Sequence, residues 1–204
     1  MNARLRDSGW LAAMMAVAMM FIHAAWGVPP LDTDGDGIPD EVELALGYDP
    51  LVPTRIVYVD NQQADDSGNG LTELTAKKTI QAGVNAAKAP AVENVVLVAA
   101  GSYAGAGNRN LDFGGCNIKL IAPAGPGATA VDLEGAGRFL YLSNGETKTG
   151  SRVAGFAISN GNADYGGAIR IAGNTGLTVI DCVFSDNQAT GCGGAAFVAG
   201  GAVD

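Results

Sequence analysis

The sequence predicts an all-β chain wound as a parallel β-helix, a solenoid, and three observations carry that prediction. Glycine supplies 30 of the 204 residues, about twice the usual share of roughly 7%, and 22 of those glycines fall within residues 101–201. From Asn94 onward, short apolar runs at 95–99, 118–122, 131–133, 139–142, 153–158, 169–172, 178–184 and 195–199 are separated by Gly and Asn. Runs this short and closely spaced suit stacked strands, not alternating helices and strands. Finally, residues 155–173 laid on 182–200 give identities at Asn160/Asn187, Gly166/Gly193, Gly167/Gly194, Ala168/Ala195, Ala172/Ala199 and Gly173/Gly200, a constant offset of 27. That offset lies within the range of solenoid periods.

Each coil of such a solenoid returns the chain about 4.8 Å above its start, so equivalent positions stack. Asn160 over Asn187 then predicts a side-chain amide ladder. Gly166-Gly167 over Gly193-Gly194 predicts a tight corner that excludes side chains. Residues 91–204 suffice for roughly four coils, above the minimum of about three.

The segment 55–90 reads as a strand and a capping helix. Arg55-Ile56-Val57-Tyr58-Val59-Asp60 alternates like a strand, and 61–70 is a polar turn region. Asp60, Asp65 and Asp66 there read as a solvated loop in preference to a cation site. Thr75 is expected to cap a helix over about 76–89, with Ile80, Val84 and Ala87 on one face and Pro90 as its stop. That face would close the open edge of the first coil. Lys77 and Lys78, near the positive end of the helix dipole, are expected in solvent.

Residues 1–27 have the layout of a secretory signal peptide. Arg4 and Arg6 precede an apolar run at 10–22, and Ala25-Trp26-Gly27 offers a cleavage site before Val28. The run is short for a membrane span. Export places the remaining chain outside the cell or on the outer surface of a bacterium. Residues 28–204 keep 10 basic and 20 acidic side chains, but no histidine, tryptophan or methionine. Without histidine there is no Ser-His-Asp or Cys-His apparatus and no histidine-bearing zinc site, and three cysteines cannot supply four thiolates. The negative balance argues against nucleic acid as a partner. In an oxidising compartment Cys182 and Cys192 could close a small loop, or all of Cys116, Cys182 and Cys192 could be buried fillers; spacing leaves both readings open.

Residues 28–54 read as a calcium loop and linker. Asp32, Asp34 and Asp36 occupy positions 1, 3 and 5 of a twelve-residue loop and Gly37 stands at the sharp turn. Ile38 offers its carbonyl at 7, Asp40 lies at 9 and Glu43 is the bidentate candidate at 12. Packed carboxylates repel one another unless a cation joins them. A short helix is expected over 41–46, ended by Gly47 and Asp49-Pro50. The segment resembles the calcium repeats of thrombospondin type 3 or dockerin kind in exported bacterial proteins. The resemblance implies calcium as cofactor, a structural role, and a dissociation constant on the order of 0.1–1 mM, as in extracellular modules.

Further motifs carry a second resemblance. Tyr58-Val59-Asp60, Thr79-Ile80-Gln81-Ala82 and Val98-Ala99-Ala100-Gly101-Ser102-Tyr103 resemble the opening of bacterial right-handed parallel β-helix proteins of the pectate-lyase-like superfamily. Phe184-Ser185-Asp186-Asn187 followed by Gly193-Gly194-Ala195-Ala196, and Gly166-Gly167-Ala168-Ile169, resemble the repeat of polymorphic outer-membrane proteins. The resemblance implies an exported, non-catalytic module for cell-surface structure, adhesion or binding of a polysaccharide or surface protein. The alternative it leaves is a polysaccharide lyase or glycoside hydrolase. Within 155–200 the only charged candidates for catalysis are Asp164, Arg170, Asp181 and Asp186, each equally readable as a turn or exposed-strand residue. With tryptophan absent and the tyrosines scattered along the chain, no aromatic platform is expected, and Arg152 and Arg170 form no basic groove. The segment 200–204 carries no polar cap, which predicts self-association at an open C-terminal coil and leaves any membrane contact to a downstream anchor.

Overall fold

The structure is a computed structural model that describes residues 31–36, 38–46, 48–89, 92–200 and 202–203. The predicted leader at 1–27 lies outside the described residues, as do Gly37, Gly47 and Pro90. Two compact units emerge, one from residues up to 54 with 91–93, the other from 55–90 with 94–204.

The larger unit is a parallel β-solenoid of about four turns. One sheet takes β1 (Thr54–Val59), β2 (Glu93–Val98), β4 (Ile118–Ile121), β7 (Arg152–Ala154), β11 (Gly176–Ile180) and β15 (Ala202–Val203) in that order. A second stacks β3 (Gly101–Tyr103), β5 (Thr129–Asp132), β8 (Ala157–Ser159) and β12 (Val183–Ser185). A third stacks β6 (Leu140–Leu142), β10 (Ile169–Ala172) and β14 (Ala196–Ala199), and a short fourth pairs β9 (Asn162–Ala163) with β13 (Gln188–Ala189). Along the first sheet the partners Asn94↔Ile118, Lys119↔Arg152, Thr178↔Arg152 and Gly176↔Ala202 set successive rises of 24, 33, 26 and 26 residues.

Alternation along the strands builds the core. Leu140 and Leu142, Ile169 and Ile171, Val131, Val153 and Ile158 point inward and are buried, forming one cluster with Phe113, Phe139 and Phe156. The Phe139 and Phe156 rings lie 5.6 Å apart, tilted by 47°. Each such side chain contributes about 1.5–3 kcal/mol of burial. In the last coil inward positions are uncovered: Val198 and Val203 are exposed, although Ile171 and Leu177, one rung below them, are buried.

The apolar runs 153–158 and 178–184 are each two strands, divided by a corner. Gly155 and Asp181, one rung apart, both adopt left-handed backbone, φ +81° and +47°. A side chain at Gly155 would collide with the Ala122 carbonyl of the coil below, whereas aspartate tolerates this conformation.

The capping helix is shorter than the pattern suggested. Helix α2 runs Ile80–Ala87, and Thr79, not Thr75, accepts from the Ala82 N–H. Residues 76–79 are extended because Lys77 pairs with the first strand: its N–H donates to Tyr58 O at 2.9 Å and its carbonyl accepts from Asp60 N at 2.8 Å. Asp66 holds the entry, taking Lys78 N and Thr79 N on Oδ1 at 2.8 Å and the Thr79 hydroxyl on Oδ2 at 2.9 Å. Lys77 is therefore half-buried, its Nζ donating to Asp66 O at 2.9 Å, while Lys78 is exposed. Ile80, Val84 and Ala87 are buried in the core cluster, and Gly83 lies against Val59 and Val96 of the first two strands.

The amide ladder of Asn160 on Asn187 does not form. In the second sheet the register is 26, Ser159 against Ser185, so Asn160 meets Asp186 (φ +59° and +54°). Asn160 Nδ2 donates instead to Asp132 Oδ1 at 2.9 Å, and Asn187 takes Gly161 N on Oδ1 at 2.7 Å while donating to Ile158 O at 3.0 Å. The offset of 27 is real only for the third sheet, Ile169 against Ala196, because the segment before β14 (190–195) is one residue longer than that before β10 (164–168). There Gly166 and Gly193 both take left-handed backbone, and the Gly194 carbonyl leaves no room for a side chain on Gly167. The three cysteines are free thiols. Cys182 and Cys192 are not joined: Cys182 packs on the core and donates to Ile180 O at 3.3 Å, while Cys192 is exposed beyond the intervening β12 and β13.

Candidate metal centre

The loop before helix α1 (Asp40–Leu46) is shaped by its own aspartates. Asp32 Oδ1 accepts from Gly35 N at 2.8 Å, Asp34 Oδ1 from Asp36 N at 3.1 Å and Asp36 Oδ1 from Ile38 N at 2.7 Å. Gly35 permits the bend with φ +76°. These turns gather Asp32, Asp34 and Asp36 so that one carboxylate oxygen of each lies within 4.8 Å of the other two. Asp40, Glu41 and Glu43 then open the helix at the end where acidic side chains are favoured.

Two of these carboxylates have a buried oxygen with no hydrogen-bond partner. Glu43 is fully buried; its Oε1 accepts from the Thr54 hydroxyl at 2.9 Å, but Oε2 is buried without a hydrogen bond, and so is Asp34 Oδ2. A buried carboxylate oxygen left this way costs several times an ordinary hydrogen bond. A hard cation taking six to eight oxygens is the group such a donor set fits. Residues 32–53 match the bacterial TSP3 repeat. TSP3 repeats are calcium-binding modules of extracellular proteins. No curated protein and no solved structure matches the chain.

Within the TSP3 repeat the six predicted ligands divide. Asp32, Asp34 and Asp36 form the cluster. Glu43 lies near enough for Asp36 and Asp34 to act on its carboxyl. Asp40 instead ties the loop to the helix, accepting from Thr33 N at 2.7 Å and Thr33 Oγ1 at 2.6 Å. Ile38 is half-buried, with its N–H on Asp36. Thr54 joins them from outside the motif: its N–H donates to Asp36 Oδ2 at 2.5 Å and its hydroxyl to Glu43. No local spacing marks a residue 11 positions beyond Glu43.

Burial first, then the neighbouring Asp36, Asp32 and Asp40, push the Asp34 carboxyl above the ordinary aspartate range. Burial likewise raises Glu43, helped by Asp36, Asp34 and Asp40 and opposed by the Thr54 hydroxyl. The cation-free folded loop thus holds more protons than the unfolded one, so its stability falls as pH rises through these carboxyls. In chelator, lowering pH from about 7 to about 4.5 is expected to increase amide-exchange protection across 32–54. In calcium the trend reverses, because binding displaces those protons. The same trend in both buffers would contradict the assignment.

On the solenoid the four candidate catalytic residues do not converge. Asp164 accepts from Arg138 and from Arg170 Nη1, the latter at 3.1 Å. The Tyr165 N–H and the Arg138 guanidinium hold its carboxyl below the usual range. Asp181 stands at the corner after β11. Asp186 stands at the corner after β12, lining a cavity of about 350 Å³ with Asp132, Glu134 and Asn160. The tyrosines are less scattered in space than in sequence: Tyr141 and Tyr165 both stack against Arg170. Among the described residues no helix is long and apolar enough to cross a membrane.

Proposed function

We propose that this chain is an exported β-solenoid module ordered at its front by calcium, with no catalytic centre, serving cell-surface structure, adhesion or binding of a polysaccharide or surface protein. The observation that carries the reading is the aspartate cluster of the TSP3 repeat with its two unpartnered buried oxygens. The composition of residues 1–27 supports export. The non-catalytic part is supported by how the candidate groups are occupied: Asp164 and Arg170 neutralise each other, and Asp181 and Asp186 stand at separate corners.

One observation favours the enzymatic alternative. Asp132, Glu134 and Asp186 share a cavity, and a glycosidase needs two carboxyls about 5–9.5 Å apart. Such a pair also needs one carboxyl kept protonated. Here Asn160 and the Glu134 N–H hold Asp132 below the usual range, and Glu134 is paired with Arg109. Incubated with pectin, alginate or glucuronan, the purified protein is expected to release no oligosaccharides. Release that disappears in Asp186→Asn would replace the module reading with the enzymatic one.

A further inference from the structure

The outer face of the third sheet carries a cluster that neither the calcium loop nor the core uses. Tyr141, Arg170 and Phe197 stand in register on β6, β10 and β14, between inward-facing residues that are buried in the first two strands. Arg138 reaches the same place, its guanidinium 5.6 Å from the centroid of the Tyr141 ring. The Arg170 guanidinium lies 5.1 Å from that ring and 5.5 Å from the Tyr165 ring. Tyr165 rests against Phe197 at 4.9 Å. Asp164 bridges the two guanidiniums through one terminal nitrogen of each, and Arg170 Nε is buried without a partner.

Two arginines braced by an aromatic ring and a shared carboxylate are held in place before any ligand arrives, so little ordering cost remains at binding. Their planar donor edges match a carboxylate better than an ammonium would. Arg138 and Arg170, with Asn110, Asp112, Tyr141 and Ser143, wall a cavity of about 350 Å³. That volume is at the small end of the range for ligand pockets, about 300–1,000 Å³. Asp112, whose Oδ1 already takes Gly114 N at 2.8 Å, joins Asn110 and Ser143 in offering acceptors on the same wall. The lining therefore pairs guanidinium donors with acceptors suited to hydroxyls. Asp112 and Asp164 balance the two arginines, which disfavours a dianion, and the formal charge of −9 repels a polyanion.

We infer that Arg138, Tyr141 and Arg170 bind a single sugar acid, a hydroxylated ring bearing one carboxylate, as an isolated or terminal unit. This deepens the binding-module reading and rests on it. The test is an NMR titration of the full chain in calcium with glucuronate, alongside glucose and sodium sulfate. Glucuronate should saturate and shift amides of 138–143 and 164–170, with glucose and sulfate each weaker by about tenfold or more, the worth of one charge-assisted hydrogen bond. Arg170→Lys keeps the charge but loses the planar fork, and should weaken glucuronate about tenfold while the β-sheet circular dichroism is unchanged. Ser143→Ala, a smaller change at the cavity wall, should weaken it severalfold. Absence of saturable binding, equal binding of sulfate, or glucuronate binding indifferent to both variants would overturn the site. Glucose binding indifferent to the arginines would overturn it while leaving the module reading intact, whereas polysaccharide turnover would remove that reading.

Discussion

Replacing Phe156 with alanine is expected to cost the solenoid about 3–5 kcal/mol, read as a lower urea midpoint with an unchanged slope. The ring is fully buried, packs at 5.6 Å on Phe139, and follows directly on the Gly155 corner. Its backbone is fixed from the next coil, where Val183 N donates to Phe156 O at 2.8 Å. The strands above and below therefore cannot collapse into the space the ring leaves. Because stacked repeats draw stability from nearest-neighbour interfaces, the cavity weakens the contacts of a coil on both sides. A loss below about 1 kcal/mol would mean that the coils are not held together by this core.

Chelating calcium is expected to have an effect of similar consequence in the smaller unit. At a hundredfold excess of calcium over its dissociation constant, the ion contributes about 2.7 kcal/mol to the folded loop, a factor of about a hundred in the opening equilibrium. Exchange protection should fall by that order at Ile38, Glu43, Tyr48 and Val52, whose N–H groups bond to Asp36 Oδ1 and to the carbonyls of Pro39, Glu43 and Asp49. Leu140, Ile169 and Thr178, bonded to Ala168, Ala195 and Ser151 within the solenoid, should hold theirs. Uniform protection before and after chelation would leave the aspartate cluster without a cation to bind.

Much of this architecture was legible because it is local or periodic. The aspartate spacing at 32–36 sets the loop through bonds that span two or three residues, and the glycine corner at 166–167 repeats at 193–194. Sequence identity alone could not show that the coil holds two registers, because the single extra residue before β14 converts 26 into 27 only for the third sheet. The start of helix α2 departs from the local pattern for a related reason: Lys77 is claimed by the first strand and Thr79 by Asp66, partners 13 or more positions away. The Arg138–Tyr141–Arg170 cluster was invisible because its members belong to successive coils and meet only when Tyr141 and Arg170 come into register. Polar residues that act across coils leave no periodic trace, whereas apolar ones do.

The central claim is that the TSP3 repeat binds calcium through Asp32, Asp34 and Asp36, and calorimetric titration of the full chain with calcium tests it most directly. Saturable binding should appear in the native protein and vanish in Asp34→Asn, which removes charge at the oxygen left buried without a partner, while the β-sheet circular dichroism of the solenoid stays unchanged. Native protein that binds no calcium, or an Asp34→Asn variant that binds it as well, would contradict the account.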